Sequence, residues 1–525
     1  MTNASSFKDG WWAFGAALVL YLVAVRPFYG VTADDAFISF RYAQNWAAGC
    51  GPVYSCGEAP VEGYTNFLWV AISALAIASG LNVVVAMRLL GLVCGFAAVA
   101  AALLLIRRLY VRRSSQLVLL AGLASSPFWA ANAPIGLETA AATLSVVLAA
   151  LLSLDLVEGR RPWPAGLAWG VAYLLRPEAL GFAAFTGLWY LGWGLARSRS
   201  TGAGSWRAVL RGALIYGASF LLVGGPYFVW RVLYYGDLFP NTFHAKREAL
   251  DVLVPRNLGL LGEHWLYFVP VVLVALVVVV VQRRREQLYL VILALIAAAI
   301  SISVHNNFWM PGHRLYLTAV ALLLVVAGGV VDLPSPPTRQ RWIGPLLLGL
   351  TCAVLALASW RYFPPTQELS QLHYAQDDNP ARRMGLMIRT MARPGDWLAI
   401  RDAGMVPFFA GPRVKVLDMH EKSLNDRHIT RDGLSVKYVM RHRPRFIVFV
   451  SPFQGEFPIH TQYCQLQGIR VSDLLDRPDK KHCVVMAHLQ ELLIARSSQF
   501  RKAGYHKAMQ VSWHRLRHFL LFRRD

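Results

Sequence analysis

Apolar residues come in runs of about twenty along the first two-thirds of the chain, separated by short polar junctions. Runs of this length match the hydrocarbon thickness of a bilayer. They predict helical spans near residues 11–29, 84–106, 115–132, 136–156, 163–177, 179–196, 208–230, 264–281, 287–304, 314–332 and 343–359. The stretch 66–80 is shorter and predicts a re-entrant or surface helix. No small-residue cleavage site follows the run 11–29, so it reads as a first span rather than a signal peptide. From about Arg361 the pattern changes. "DWLAIRDAG" and "RFIVFVSP" read as strands, with a helix-like "GLSVKYVMRH" before the second. The final "FRKAGYHKAMQVSWHRLRHFLLFRRD" reads as a basic amphipathic helix, either resting on anionic headgroups or solvated. The expected fold is a polytopic α-helical membrane body of about 11 spans over residues 1–359, then a small α/β domain with a basic tail over 360–525.

Composition agrees. Of 525 residues, 56% are hydrophobic and 16% charged, which is too apolar for an ordinary soluble domain. The formal net charge of +22 raises the question of nucleic acid, but its distribution answers it. Much of the charge sits in short clusters: Arg107/Arg108/Arg112/Arg113, Arg160/Arg161, Arg197/Arg199/Arg207/Arg211, Arg283/Arg284/Arg285 and Arg339/Arg341. These fall at every second junction, so they set topology, and those junctions are cytoplasmic. Residues 30–83, 133–135, 176–178, 231–263, 305–313 and 360–525 are then expected on the outer side, and nucleic acid is not expected as a partner. Cys50 with Cys56, and Cys464 with Cys483, would share an oxidising compartment, so two disulfides are expected. Cys94 and Cys352 lie within spans as packing residues.

The unusual polar stretches gather on that same side. Asp34-Asp35 precede "FISFRYAQNWA", where aromatic residues flank Arg41 at helical spacing. "GEAPVEGYTNFLW" brings Glu62, Tyr64 and Asn66. "IGLET" brings Glu138, and "LLRPEALG" brings Arg176 and Glu178. "YYGDLFPNTFHAKR" brings Asp237, Asn241, His244, Lys246 and Arg247. "SVHNNFWMPGHRLYL" brings His305, Asn306, Asn307, His313 and Arg314. Charges beside hydrocarbon are costly, so their convergence points to a site. A carboxylate can act as general base or hold a divalent cation. Arg, Lys and His suit a phosphate. Acid beside cationic clamp is what sugar transfer from a lipid phosphate requires. Plain structural roles also exist: helix-end acids for Asp34 and Asp35, an interfacial salt bridge for Arg176 and Glu178, loop structure or snorkelling for Asn241 and Lys246.

The stretch "DDAFISFRYAQNWAAGCGPVYSCGEAPVEGYTNFLW" resembles the first outer loop of GT-C-type membrane arabinofuranosyltransferases, most closely the mycobacterial terminal β-(1→2) enzymes and their bacterial relatives. "GLET", "LLRPE", "GDLFPNTFHAK", "DAGMVPFFAGPRVKVLD" and "LNDRHI" are similar to further segments of that family. The resemblance implies a GT-C-like fold in the bacterial inner membrane, with its active site on the periplasmic side. It implies a polyprenyl-phosphate sugar donor and a glycan or glycoconjugate acceptor. It also implies a catalytic acid in the first loop, matching Asp34 or Asp35. Adjacent residues on a helix point about 100° apart, so at most one of the two is aimed at the acceptor, and Asp35 is the one favoured here. A transporter or flippase of lipid-linked sugars is the alternative. It would place polar residues at the bilayer midplane rather than at one surface.

Overall fold

A computed structural model describes residues 11–110, 126–200, 206–246, 265–303, 314–333, 346–354, 379–420, 423–451, 497–513 and 517–524, with a few isolated positions between them. The membrane body is helical: α1 (Trp11–Val25), α2 (Asp34–Ala47), α3 (Phe67–Ala78), α4 (Val83–Leu109), α5 (Pro127–Asn132), α6 (Thr139–Val157), α7 (Pro162–Leu175), α8 (Ala179–Ser200), α9 (Trp206–Tyr235), α10 (Asn241–Lys246), α11 (Trp265–Gln282), α12 (Arg285–Ile302) and α13 (Leu317–Ala327). Short 3₁₀ turns, Arg314–Tyr316 and Gly328–Asp332, extend α13 at both ends. Among the described residues, six helices are long and apolar enough to cross a membrane, and α1, α3 and α11 are shorter apolar helices. The described residues of the predicted runs fall mainly on helix, and the 66–80 stretch holds the short α3.

Close helix packing relies on small residues, as expected where lipid offers no hydrophobic drive to associate. Gly166 and Gly170 of α7 abut α9 so tightly that an added Cβ would lie 2.3 Å from the Tyr216 carbonyl and 2.7 Å from Val223. At the end of the bundle holding Leu109, Asp155 and Arg284, the basic clusters meet acids. Arg108 lies 2.7 Å from Glu158, Arg160 reaches the same carboxylate, and Arg284 donates to the Leu109 carbonyl.

The C-terminal domain holds α14 (Pro380–Met391), β1 (Trp397–Ile400), α15 (Met405–Ala410), β2 (Lys415–Asp418), α16 (Arg427–Asp432), α17 (Val436–Arg441), β3 (Phe446–Ser451), α18 (Ser498–Lys502), β4 (His506–Trp513) and β5 (Arg517–Arg523). Its mixed sheet runs β2-β1-β3-β5-β4, parallel across β2-β1-β3 and antiparallel beyond. Alternation along the strands separates the two faces. Leu398, Ile400, Val448 and Leu521 pack with α2, α14 and α15, whereas Ala399, Ile447 and Phe449 pack with Ile429, Val439 and Phe500.

One expectation is corrected. The basic C-terminal stretch is not an amphipathic helix on lipid. Most of it is the β4–β5 hairpin, paired to β3 from Phe446↔Arg523 to Ser451↔His518. The open edge of β3 offers a ladder of hydrogen bonds, and that long-range pairing overrides the local helical pattern. Cys50 and Cys56 form the expected disulfide. Cys94 and Cys352 lie within helices and take no part in a disulfide. Cys464 and Cys483 lie outside the described residues.

Candidate active site

The chain enters α2 from an extended Ala33, whose N–H donates to the Ile135 carbonyl at 2.9 Å. Asp34 and Asp35 are the first two helical residues, where the helix dipole favours carboxylates. Neighbours on a helix project about 100° apart, and the two acids meet different partners. Asp34 Oδ1 accepts from the Met405 N–H at 2.8 Å. Asp35 is 42% exposed, and its Oδ2 lies 3.5 Å from Arg314 Nη2.

Around Asp35 several sequence candidates come together. Glu138, at the start of α6, lies 2.7 Å from Arg176 Nη1, and its other oxygen accepts from Asn66 Nδ2 at 2.7 Å. Arg176 also donates through Nε to Glu178 at 2.7 Å. Burial raises the Glu138 pKa, but Arg176 and Arg314 outweigh it and hold the carboxyl below its ordinary value. Lys246, at the end of α10, keeps an exposed side chain while protein crowds around it. That crowding, with Arg314 and Arg176 nearby, holds its pKa below the usual lysine value despite Asp35 and Glu138. Arg176, Glu178 and Arg314 line a small cleft that continues between the helices. Its walls carry the hydroxyls of Thr139, Thr143 and Thr318 and the apolar side chains of Val146, Phe182 and Ile300. None of these hydroxyls was singled out from sequence, although Thr139 and Thr143 share a helix face by their four-residue spacing.

The remaining candidates occupy other places. Arg41 is fully buried against backbone carbonyls. Glu62 pairs with Arg231, an arginine within α9 that the sequence reading missed, at 2.5 Å, with both side chains 4% exposed. Tyr64 shares a 2.8 Å hydrogen bond with the Tyr235 hydroxyl. Asn241 donates to the Ser423 and Leu424 carbonyls, joining α10 to the C-terminal domain. Asp237 lies 3.4 Å from His244 and 3.7 Å from Arg431. Its burial is outweighed by the Phe239 N–H and His244, so its pKa lies below the ordinary value. His313, with Arg247, His305, Asn306 and Asn307, lies outside the described residues. Among the described residues, no group of three or more His, Cys, Asp or Glu side chains is gathered as a metal site.

Residues 367–505 match a family described as a domain of unknown function (DUF8728). The search of curated proteins finds no match. Solved structures with a similar fold include these two. ArnT from Cupriavidus metallidurans, in a crystal structure bound to undecaprenyl phosphate, superposes with a TM-score of 0.56 at 12% identity, over 99% of this chain and 98% of that one. The oligosaccharyltransferase AglB from Archaeoglobus fulgidus, in complex with an inhibitory peptide and a dolichol-phosphate, gives 0.52 at 11% identity, over 84% of this chain and 69% of that one. The chain therefore has the GT-C fold of a multi-pass membrane protein.

Proposed function

We propose that the protein is a glycosyltransferase that moves a sugar from a polyprenyl-phosphate donor to a cell-envelope glycan or glycoconjugate. The observation that carries this reading is one cleft with cations at its mouth, apolar walls behind them and an exposed Asp35 beside them. Fold neighbours solved with undecaprenyl phosphate and dolichol-phosphate support the lipid-phosphate class of donor. The motif resemblance supports arabinofuranose as the sugar and the periplasmic face of the inner membrane as the place.

In this mechanism the lipid chain follows the apolar walls and the phosphate meets Arg176, Arg314 and Lys246. Asp35 takes the proton of the acceptor hydroxyl as that oxygen bonds to the anomeric carbon. The bond from that carbon to the phosphate oxygen breaks, and polyprenyl phosphate leaves with its negative charge met by the cations. Glu138 and Glu178 hold Arg176 in place, and Asn66 orients Glu138.

The test offers purified protein in nanodiscs a panel of labelled polyprenyl-phosphate sugars, including decaprenyl-phosphate arabinofuranose. Wild type is expected to release polyprenyl phosphate from at least one. Asp35→Asn is expected to lose about 10²–10⁴-fold in rate with an unchanged unfolding temperature. Release from no donor, or full activity in Asp35→Asn, overturns the reading. Movement of the intact donor across the bilayer without release would instead support a flippase.

A further inference from the structure

We propose that Asp34 is a positioning residue, and that the C-terminal domain uses it, through α15, to aim Asp35. The inference rests on the reading of Asp35 as the base and adds a role for a separate domain.

Asp34 and Arg41 are seven residues apart on α2, which is about two turns and about 10 Å, and so they share one face. The six-residue α15 lies against that face with its two ends matched to the two charges. Asp34 accepts from the Met405 N–H at the start of α15. Arg41 donates to the Pro407 carbonyl at 2.6 Å and the Gly411 carbonyl at 3.3 Å at its end, and to Val414 at 2.6 Å just beyond. This is the favourable pairing for a helix dipole, anion at the N–H end and cation at the carbonyl end. Burial draws the Arg41 pKa down to about 10, so it keeps its charge at neutral pH. Between the two ends, Phe37 packs on Phe408 and Phe409 with ring centroids 5.4 and 5.7 Å apart.

The approach at Gly404 is closer still. A Cβ there would lie 2.3 Å from both the Asp34 carbonyl oxygen and Oδ2. The Tyr54 hydroxyl fixes the preceding residue by donating to the Ala403 carbonyl at 2.5 Å. The first turn of α2 therefore has one seat against α15. With Asp34 seated, Asp35 is held about 100° around the helix, where it meets Arg314. In this arrangement Asp34 needs an acceptor oxygen, not a basic carboxylate.

The experiment compares Asp34→Asn, Asp34→Ala, Gly404→Ala and Asp35→Asn in the full-length protein. It reads kcat, donor KM and amide hydrogen exchange over residues 404–411. Asp34→Asn keeps an acceptor oxygen for Met405 and is expected within about fivefold of wild-type kcat. Asp34→Ala and Gly404→Ala are expected to lose about 10²-fold in kcat, as a small misplacement of a reacting group does. Their donor KM stays unchanged, and exchange over 404–411 accelerates. Two results overturn the proposal: Asp34→Asn as inactive as Asp35→Asn, or Asp34→Ala with wild-type kcat. If wild type transfers no sugar, the proposed function fails by itself. Hydrogen exchange then decides the docking, and unchanged exchange in Asp34→Ala overturns it. If Asp34→Ala does not fold, the comparison of Asp34→Asn with Asp35→Asn decides.

Discussion

Two arginine–glutamate pairs lie near the first loop, and they differ in what they leave unsatisfied. In the Glu62–Arg231 pair both side chains are 4% exposed. Arg231 spends Nε and Nη2 on Glu62 and Nη1 on the Leu238 carbonyl, and Tyr227 donates to the same carboxylate. The pair ties loop to helix and has no edge on the cleft. In the Glu138–Arg176 pair the glutamate is 3% exposed but the arginine is 21% exposed and lines the cleft. Arg314 beside it faces Asp35 at 3.5 Å, longer than a tight charge-assisted hydrogen bond. Both regions contain buried acid and arginine, so burial does not separate a strut from a site. Spare capacity on the cation does.

The comparison breaks most visibly at Arg231. Removing one partner of a buried pair strands the other charge, so Arg231→Ala should cost about 3–5 kcal/mol. Thermal unfolding in detergent measures it, and an unchanged midpoint would put Arg231 outside the framework. Arg314→Ala should do the reverse. Donor KM is expected to rise about 10–100-fold, the loss of one charge-assisted contact, while the unfolding midpoint holds. Donor titration checks this.

Acid pH should sharpen the contrast by a smaller amount. The Glu138 carboxyl is held below its ordinary value of about 4.3. Such a group stabilises the fold above its unfolded pKa and loses that contribution as pH falls through the lower, folded pKa. Glu138→Gln should therefore flatten the loss of stability below about pH 4.3 in midpoint-against-pH curves. The smallest effect is expected at Lys415, which meets the exposed Glu58 at 2.6 Å from a half-buried position at the surface. Lys415→Ala should cost less than about 1 kcal/mol, and a larger shift would mean that this edge bears on the loop above it.

The parts legible in the sequence are those governed by local period. Runs of twenty apolar residues gave helices, and "DWLAI" and "RFIVFVS" gave strands β1 and β3. The helical rule that adjacent residues diverge also anticipated that Asp34 and Asp35 serve different partners. The hairpin escaped because its basic and apolar residues fit a helical face as well as an alternating strand. Leu521 and Phe522 fall on opposite faces only once β3 supplies a partner. Arg231 escaped because its partner lies 169 residues away. An arginine at the end of an apolar run is still a usable signal, since a charge beside hydrocarbon is tolerated only with a partner.

The contact between Asp34 and Met405 also has a consequence in time. Its two halves are 371 residues apart in the chain. At ribosomal speeds of about 5–20 residues per second, roughly 20–70 s separate the emergence of the acid from that of the amide it caps. Through that interval the first loop has its disulfide partners in hand but no α15 to lie against. Completion of the site is thus tied to the arrival of the C-terminal domain, and a nascent chain interrupted before it would hold an inserted helical body whose first loop is still unfinished.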